Sequence, residues 1–199
     1  MSSSSRDFVL DAVRRNQPAP RALPEVPPFA RAVPDLLVDF STALERMGGT
    51  LVMPPTGGSL DSLLAQRFPR ARVICSATRE VLGNRDIASV GDARELHDVD
   101  VGVVRAVFGI AETGSVALSE RQFGVNALGF LSQHLVVLLD PQSIVANLHD
   151  AYRNPLFFEA RYAVLMTGPS ATADIEGVLV RGAQGIRSLT VIPIAPPSA

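Results

Sequence analysis

Leu135-Val-Val-Leu-Leu139, followed at once by Asp140-Pro141, is the stretch that decides the fold. Five apolar residues in a row leave no polar alternation. A strand of that pattern is covered on both faces, as in a parallel sheet with helices on either side. Asp140 suits a helix N-cap, and Pro141 suits the first helical position, where its missing N–H costs nothing. Ile144, Val145, Leu148, Ala151 and Tyr152 then predict the apolar face of a helix.

The same rhythm extends in both directions. Upstream, Leu36, Leu37, Phe40, Ala43, Leu44 and Met47 predict an amphipathic helix from Asp35 that ends at Gly48-Gly49. Thr50-Leu-Val-Met53 reads as a strand, 54–59 as a loop, and Leu60, Leu63, Leu64 and Phe68 as a helix stopped by Pro69. Arg72-Val-Ile-Cys75, the alternating Val99, Val101 and Val103, and Val116-Ala-Leu118 predict strands. Downstream come a strand over Tyr162–Met166, a loop over Thr167–Thr172, a helix from Ala173 to Val180 and a last strand over Leu189–Ile192. Strands alternating with helices predict a three-layer α/β/α domain with a largely parallel sheet. Ahead of it, Phe8, Val9, Ala12 and Val13 mark a short helix over 6–16. Gln17 to Pro34 holds six of the 15 prolines and reads as extended chain. The division is therefore an N-terminal arm and linker over 1–34 and one α/β domain over 35–199.

Composition narrows the chemistry. A chain of 199 residues with 47 % hydrophobic and 19 % charged residues suits one globular domain with an arm. A net charge of -2 argues against a nucleic-acid partner. All 18 basic residues are Arg, which rules out a lysine Schiff base or P-loop lysine on this chain. Cys75 is the single cysteine, so these residues offer neither an internal disulfide nor four thiolates for an iron–sulfur cluster. His97, His134 and His149 lack metal-binding spacing, and no metal site is expected. The opening Met1-Ser-Ser-Ser-Ser-Arg6 has no signal-like core and no apolar run approaches ~18 residues, so a cytoplasmic protein with no membrane contact is expected.

Three loops carry small hydroxyl and glycine residues: Thr56-Gly57-Gly58-Ser59, Glu112-Thr113-Gly114-Ser115 and Thr167 to Thr172. Each reads alone as an ordinary turn or cap. Placed together beyond the carboxyl ends of strands, they would line one anion-binding pocket. The candidate ligand-binding residues are Thr56, Gly57, Gly58, Ser59, Thr113, Gly114, Ser115, His134, Gly168, Ser170, Thr172 and Asp174. Glu112 is the candidate catalytic group. It sits between apolar residues, where desolvation would suit a base or nucleophile, and it reads equally as a carboxylate capping backbone amides. Asp174 reads as an acidic residue at a helix start, His134 as a strand-end hydrogen-bonding group, and Cys75 as core. Gly-x-Gly-x-x-Gly and Gly-x-Ser-x-Gly are absent, so neither a nicotinamide dinucleotide nor a nucleophile elbow is supported.

Asp100-Val-Gly-Val103, Gly109-Ile-Ala-Glu-Thr-Gly-Ser-Val116, His134-Leu-Val-Val137, Thr167-Gly-Pro-Ser-Ala-Thr-Ala-Asp-Ile-Glu176 and Leu179-Val-Arg-Gly182 occur in this order. Together they resemble the LUD-domain proteins of the LutC/YkgG lactate-utilisation type over roughly residues 35–195. The resemblance implies a fold like the glucosamine-phosphate deaminase, ribose-phosphate isomerase and CoA-transferase group. It implies an accessory role in oxidising L-lactate to pyruvate. It also implies that the iron–sulfur clusters lie on cysteine-rich partner proteins and no cofactor on this chain. The N-terminal arm is placed either to lie back over the domain or to reach a partner or a second copy. Val104, Arg105, Val107 and Phe108 are bulkier than the small polar residues usual there, and Arg105 is placed either to read an acidic ligand or at the surface. Glu112-Thr113-Gly114 also resembles the Glu-x-Gly turn of CoA transferases, in which the Glu forms an acyl anhydride. The alternative function is thus a small-molecule enzyme of CoA-transferase or sugar-phosphate isomerase type using Glu112.

Overall fold

The structure, a computed structural model, describes residues 4–27, 34–174 and 176–197. The linker over 28–33 and Ile175 of the family-like string lie outside the described residues. Helix α1 (Ser5–Arg15) begins with a capping box between Ser4 and Asp7 and buries none of its residues. Residues 17–27 carry no regular structure, as their prolines require. Asp35 caps α2 (Leu36–Arg46) by accepting from the Leu37 and Val38 N–H groups at 2.9 and 3.1 Å. There follow β1 (Thr50–Leu51), α3 (Leu60–Arg67) capped by Ser59, β2 (Ile74–Ser76), β3 (Arg85–Asp86) and β4 (Val101–Arg105). Strands β5 (Phe108–Ile110) and β6 (Ser115–Ser119) lead to short helices α4 (Glu120–Phe123) and α5 (Leu128–Leu131). The chain continues through β7 (His134–Leu139), β8 (Ile144–Val145), α6 (Leu148–Ala151), α7 (Leu156–Glu159) and β9 (Ala163–Met166). It ends with β10 (Ala171–Thr172), β11 (Val180–Arg181) and β12 (Ser188–Pro193).

Six strands form the central sheet in the order β1-β12-β7-β4-β2-β3, every neighbouring pair parallel. The apolar run of β7 lies between β12 and β4, and Leu135 to Leu139 are all buried. Its side chains go alternately to two cores. Val136 and Leu138 join Val101, Val103 and Ile192 under Leu60 and Leu64 of α3. Leu135, Val137 and Leu139 join Leu189 and Val191 under Phe40 and Leu44 of α2 and Phe123 and Leu128 of the short helices. This is the three-layer α/β/α arrangement with the largely parallel sheet that the sequence predicts.

A second sheet departs from that expectation. Its order is β8-β5-β6-β9, with β5–β6 and β6–β9 antiparallel. Val116 and Leu118 turn towards the central core, whereas Ala117 and Leu165 pack outward with Leu148, Ala151 and Phe157 of the α6–α7 segment. Residues 116–118 therefore belong to this sheet and not to the parallel one. A Cβ on Gly109 would lie 3.0 Å from Leu139 and 3.2 Å from Phe40, so β5 packs closely where only a hydrogen fits comfortably.

Two predicted helices are replaced. Asp140 and Pro141 open only a 3-10 turn over Pro141–Ser143. Ile144 and Val145, both β-branched, then pair in parallel with Gly109 and Ile110. A fresh cap at Asn147, donated to by the Asp150 N–H at 2.9 Å, starts a helix of four residues. The helix expected over 173–180 is a hairpin end, with Ala171 paired to Arg181 and Thr172 to Val180. Glu176 and Gly177 both have positive φ, 53° and 71°, which a right-handed helix does not admit.

Candidate functional site

The Glu112-Thr113-Gly114 turn joins β5 to β6, and the Thr167-Gly168 loop leaves β9, which lies beside β6. Because β6 and β9 are antiparallel, the start of one and the end of the other share an edge, and Val116 pairs with Met166. Ser115 is buried there and bridges two other hydroxyls. Its Oγ lies 2.7 Å from Thr113 Oγ1 and forms a short hydrogen bond with Thr167 Oγ1. Two motifs more than fifty residues apart in sequence thus meet through three hydroxyl groups.

Both loops rest on α2. Gly114 has φ +66°, and a Cβ on it would stand 2.2 Å from the Leu44 nitrogen. Gly168 has φ +68°, and a Cβ there would stand 2.4 Å from the Met47 carbonyl oxygen. These glycines are required for a left-handed turn against backbone. Glu112 is exposed, and its Oε2 accepts from the Leu148 N–H at 3.0 Å. Its carboxylate therefore caps the first turn of α6, as the capping reading of the sequence expects, and favours the positive end of that turn.

His134 begins β7 at the amino end of the central sheet. Its register partner is Ser188, the first residue of β12, and Nδ1 lies 2.8 Å from Ser188 Oγ. The ring leans on Phe68, with centroids 4.9 Å apart. Desolvation lowers its pKa from the ordinary histidine value, and Arg187 and Arg67 lower it further against an opposing effect of Asp100. Asp100 Oδ2 accepts from the Arg72 and Val73 N–H groups at 2.6 and 3.0 Å, which holds that carboxyl below its usual range. Because the fold favours neutral His134, the unfolded chain takes up the proton more readily. Stability is then full above the unfolded value of about 6.5 and declines as pH falls below it towards the folded value. Urea unfolding at pH 7.5 and 5.5 is expected to show this decline, and His134→Gln is expected to reduce it; an unchanged slope would count against this assignment.

The expected common pocket is not formed. Thr56, Gly57, Gly58 and Ser59 follow β1 and lie beyond the carboxyl edge of the central sheet, all exposed, with Ser59 spent on capping α3. Gly168 packs beside Gly49, which precedes β1, and so lies at the amino edge. The carboxyl-end expectation fails because the Glu112 and Thr167 loops belong to the second sheet. Ser170 and Gly168 line a cavity of about 470 Å³ with Phe130, Met166, Thr167 and Ile186. Thr172 accepts from the Asp174 N–H at 3.3 Å at the foot of the hairpin, and Asp174 is exposed and starts no helix. Arg105 is not a free surface group. It ion-pairs with Glu80 and donates to the Ile194 carbonyl at 3.1 Å, at the carboxyl edge. Cys75 is fully buried, and burial raises its thiol pKa.

Of the cleft around His134 the sequence reading names only the histidine itself. Arg67, Phe68, Arg70, Asp100, Gln133 and Arg187 line the cleft, with a volume of about 430 Å³. Its parts come from four distant segments, the end of α3 and the starts of β4, β7 and β12, the last three brought to one edge by parallel pairing, and no local motif marks them.

A parallel central sheet with an added mixed sheet, and hydroxyl and glycine loops meeting on a helix, defines a mixed α/β domain. The LUD domain model matches residues 70–194, more than half of the chain, and the chain belongs to the LUD-domain family. Its fold is similar to the crystal structure of a DUF162 family protein from Deinococcus radiodurans, with TM-score 0.61 and 20 % identity over 80 % of this chain and 96 % of that one. An uncharacterised protein of Neisseria meningitidis serogroup B is 28 % identical over 129 residues, 59 % of this chain. The chain spans about half of that relative's length (55 %). Among the described residues no helix is long and apolar enough to cross a membrane.

Proposed function

We propose that this chain is a LutC/YkgG-like accessory component of a cytoplasmic system that oxidises L-lactate to pyruvate. The observation that carries the reading is the meeting of the Glu112-Thr113-Gly114 turn with the Thr167-Gly168 loop on α2, since these are the strings that resemble that subfamily. Electron transfer would then belong to cysteine-rich iron–sulfur partners, because the one thiol offered here is buried in the core. Helix α1 supplies a docking element for such a partner or for a second copy. Its Phe8, Val9 and Val13 are 65, 57 and 55 % exposed.

An anaerobic pull-down of the tagged chain from its host, followed by lactate-dependent dye reduction, tests the reading. Iron–sulfur proteins co-eluting in fixed ratio, with activity falling when residues 1–16 are removed, are expected. In that assay Glu112→Gln should keep the activity, because an amide oxygen can still accept from Leu148. Loss of activity in a folded Glu112→Gln protein, or a lone chain carrying a CoA thioester, would move the assignment to carboxylate catalysis.

A further inference from the structure

We infer that the cleft around His134, at the amino edge of the central sheet, binds a small oxyanion carrying two negative charges, of the phosphate-monoester or dicarboxylate class. This goes beyond the lactate reading and does not depend on it.

The first ground is charge. Arg67, Arg70 and Arg187 line the cleft, against one carboxylate, Asp100. Asp100 is already engaged by the backbone N–H groups of Arg72 and Val73. Among the described residues neither Arg70 nor Arg187 makes an ion pair or a side-chain hydrogen bond, although the same structure pairs Arg85, Arg94 and Arg105 with carboxylates. Three like charges around one concavity repel each other and raise its potential, and an entering anion relieves that repulsion. With His134 neutral, the lining carries a formal charge of about two, which selects a dianion over a monoanion.

The second ground is geometry. The cleft is about 430 Å³, within the range of sites for small metabolites. Its floor is fixed. The His134 ring is held by Ser188 Oγ on one side and by Phe68 against its face. Arg67 Nε donates to Thr190 Oγ1 at 3.3 Å, which sets the stem of that side chain. The Arg187 N–H donates to the Gln133 carbonyl at 2.7 Å, which fixes the backbone from which both side chains leave. Guanidinium forks match paired oxygens on phosphate and carboxylate alike. Gln133 adds an uncharged donor. Among the described residues Nε2 of His134 has no partner, which leaves it as the ring's contact for the ligand.

Binding must also couple to the proton. Burial lowers the His134 pKa most and Asp100 opposes it; Arg187 and then Arg67, which line the cleft with Arg70, lower it further. A dianion placed among them offsets their effect, so the His134 pKa rises on binding and affinity increases as pH falls through that value.

Calorimetric titrations with inorganic phosphate, glucose 6-phosphate, succinate and L-lactate, at low salt and pH 7.5, where the first three are mainly dianions, test the inference. At least one dianion is expected to bind ten-fold or more tightly than lactate. Phosphate and glucose 6-phosphate together identify the phosphate class, and succinate alone the dicarboxylate class. The variant Arg70→Gln/Arg187→Gln is expected to weaken that binding at least ten-fold, while Arg94→Gln, at a distant ion pair, leaves it unchanged. Should the double variant fail to fold, the His134 ring protons of the unaltered protein, followed by NMR, report instead, and the bound dianion should raise their titration midpoint. No dianion binding up to 10 mM, equal binding of lactate, or a His134 midpoint unmoved by the dianion overturns the inference.

Discussion

Gly114→Ala is expected to lower the melting temperature by roughly 10 °C. The added methyl group meets two penalties. The first is conformational: Gly114 has φ +66°, and a left-handed residue with a side chain costs about 1–2 kcal/mol. The second is steric. The Cβ would lie 2.2 Å from the Leu44 nitrogen, 2.5 Å from its Cα and 2.7 Å from the Ala43 carbonyl carbon, all helix backbone that cannot rotate away. Overpacking of that kind costs about 1–3 kcal/mol more. Gly57→Ala separates the two, since Gly57 has φ +76° with nothing within 4 Å of the position of its Cβ. That variant should lose only the conformational part, about 1–2 kcal/mol. Thermal unfolding followed by circular dichroism measures both. Equal shifts for the two variants would mean that α2 is not seated against the turn.

The same contact explains why some of this protein is legible in its sequence and some is not. Helices α1, α2 and α3 announce themselves by local means, the apolar spacing within each, and the structure adds the caps at Ser4, Asp35 and Ser59. Strand β7 announces itself by an apolar run that only two-sided burial supports. These signals are local because the forces behind them are local. The segment after Pro141 is different. Its apolar positions satisfy a helical template, yet Ile144 and Val145 complete the edge of a sheet by pairing with Gly109 and Ile110, over thirty residues upstream. Tertiary pairing overrides the spacing, and nothing within 141–152 reports it. The string around Ala173 fails for a related reason, as the hairpin pairing of Thr172 with Val180 fixes its ends.

The candidate site follows the same division. Glu112, Thr113, Ser115 and Thr167 were legible as chemistry-bearing residues; the structure joins the three hydroxyls and turns Glu112 to the Leu148 N–H. Their position at the amino edge was not legible, since the rule for carboxyl ends applies to parallel strands and β6 and β9 are antiparallel. Thr56 to Ser59 obey that rule and are thereby separated from the rest. The arginines of the His134 cleft have no sequence signal at all, because arginine is the only basic residue in this chain and is spread along it.

Arg105→Ala is expected to destabilise the protein by about 2–4 kcal/mol, somewhat below the cost of breaking a fully buried pair. Arg105 and Glu80 side chains are 22 and 14 % exposed, so the pair lies mostly out of water. The guanidinium makes three contacts: Nε donates to Glu80 Oε1 at 2.8 Å, Nη2 makes a short bond to the same oxygen, and Nη1 donates to the Ile194 carbonyl. It therefore fastens the end of β4 to the segment after β12 and to the loop that carries Glu80. Removing it leaves a carboxylate without its counter-ion and a carbonyl without its donor, and those losses set the size of the effect. The attraction itself contributes less than the cost of stranding one partner. Replacing both groups by apolar residues of similar length, Glu80→Leu/Arg105→Met, should therefore recover most of the stability lost in Arg105→Ala. Urea unfolding of the two single variants and the double variant decides this. A double variant as unstable as the sum of the singles would show that the Ile194 contact, and not the ion pair, holds this edge together.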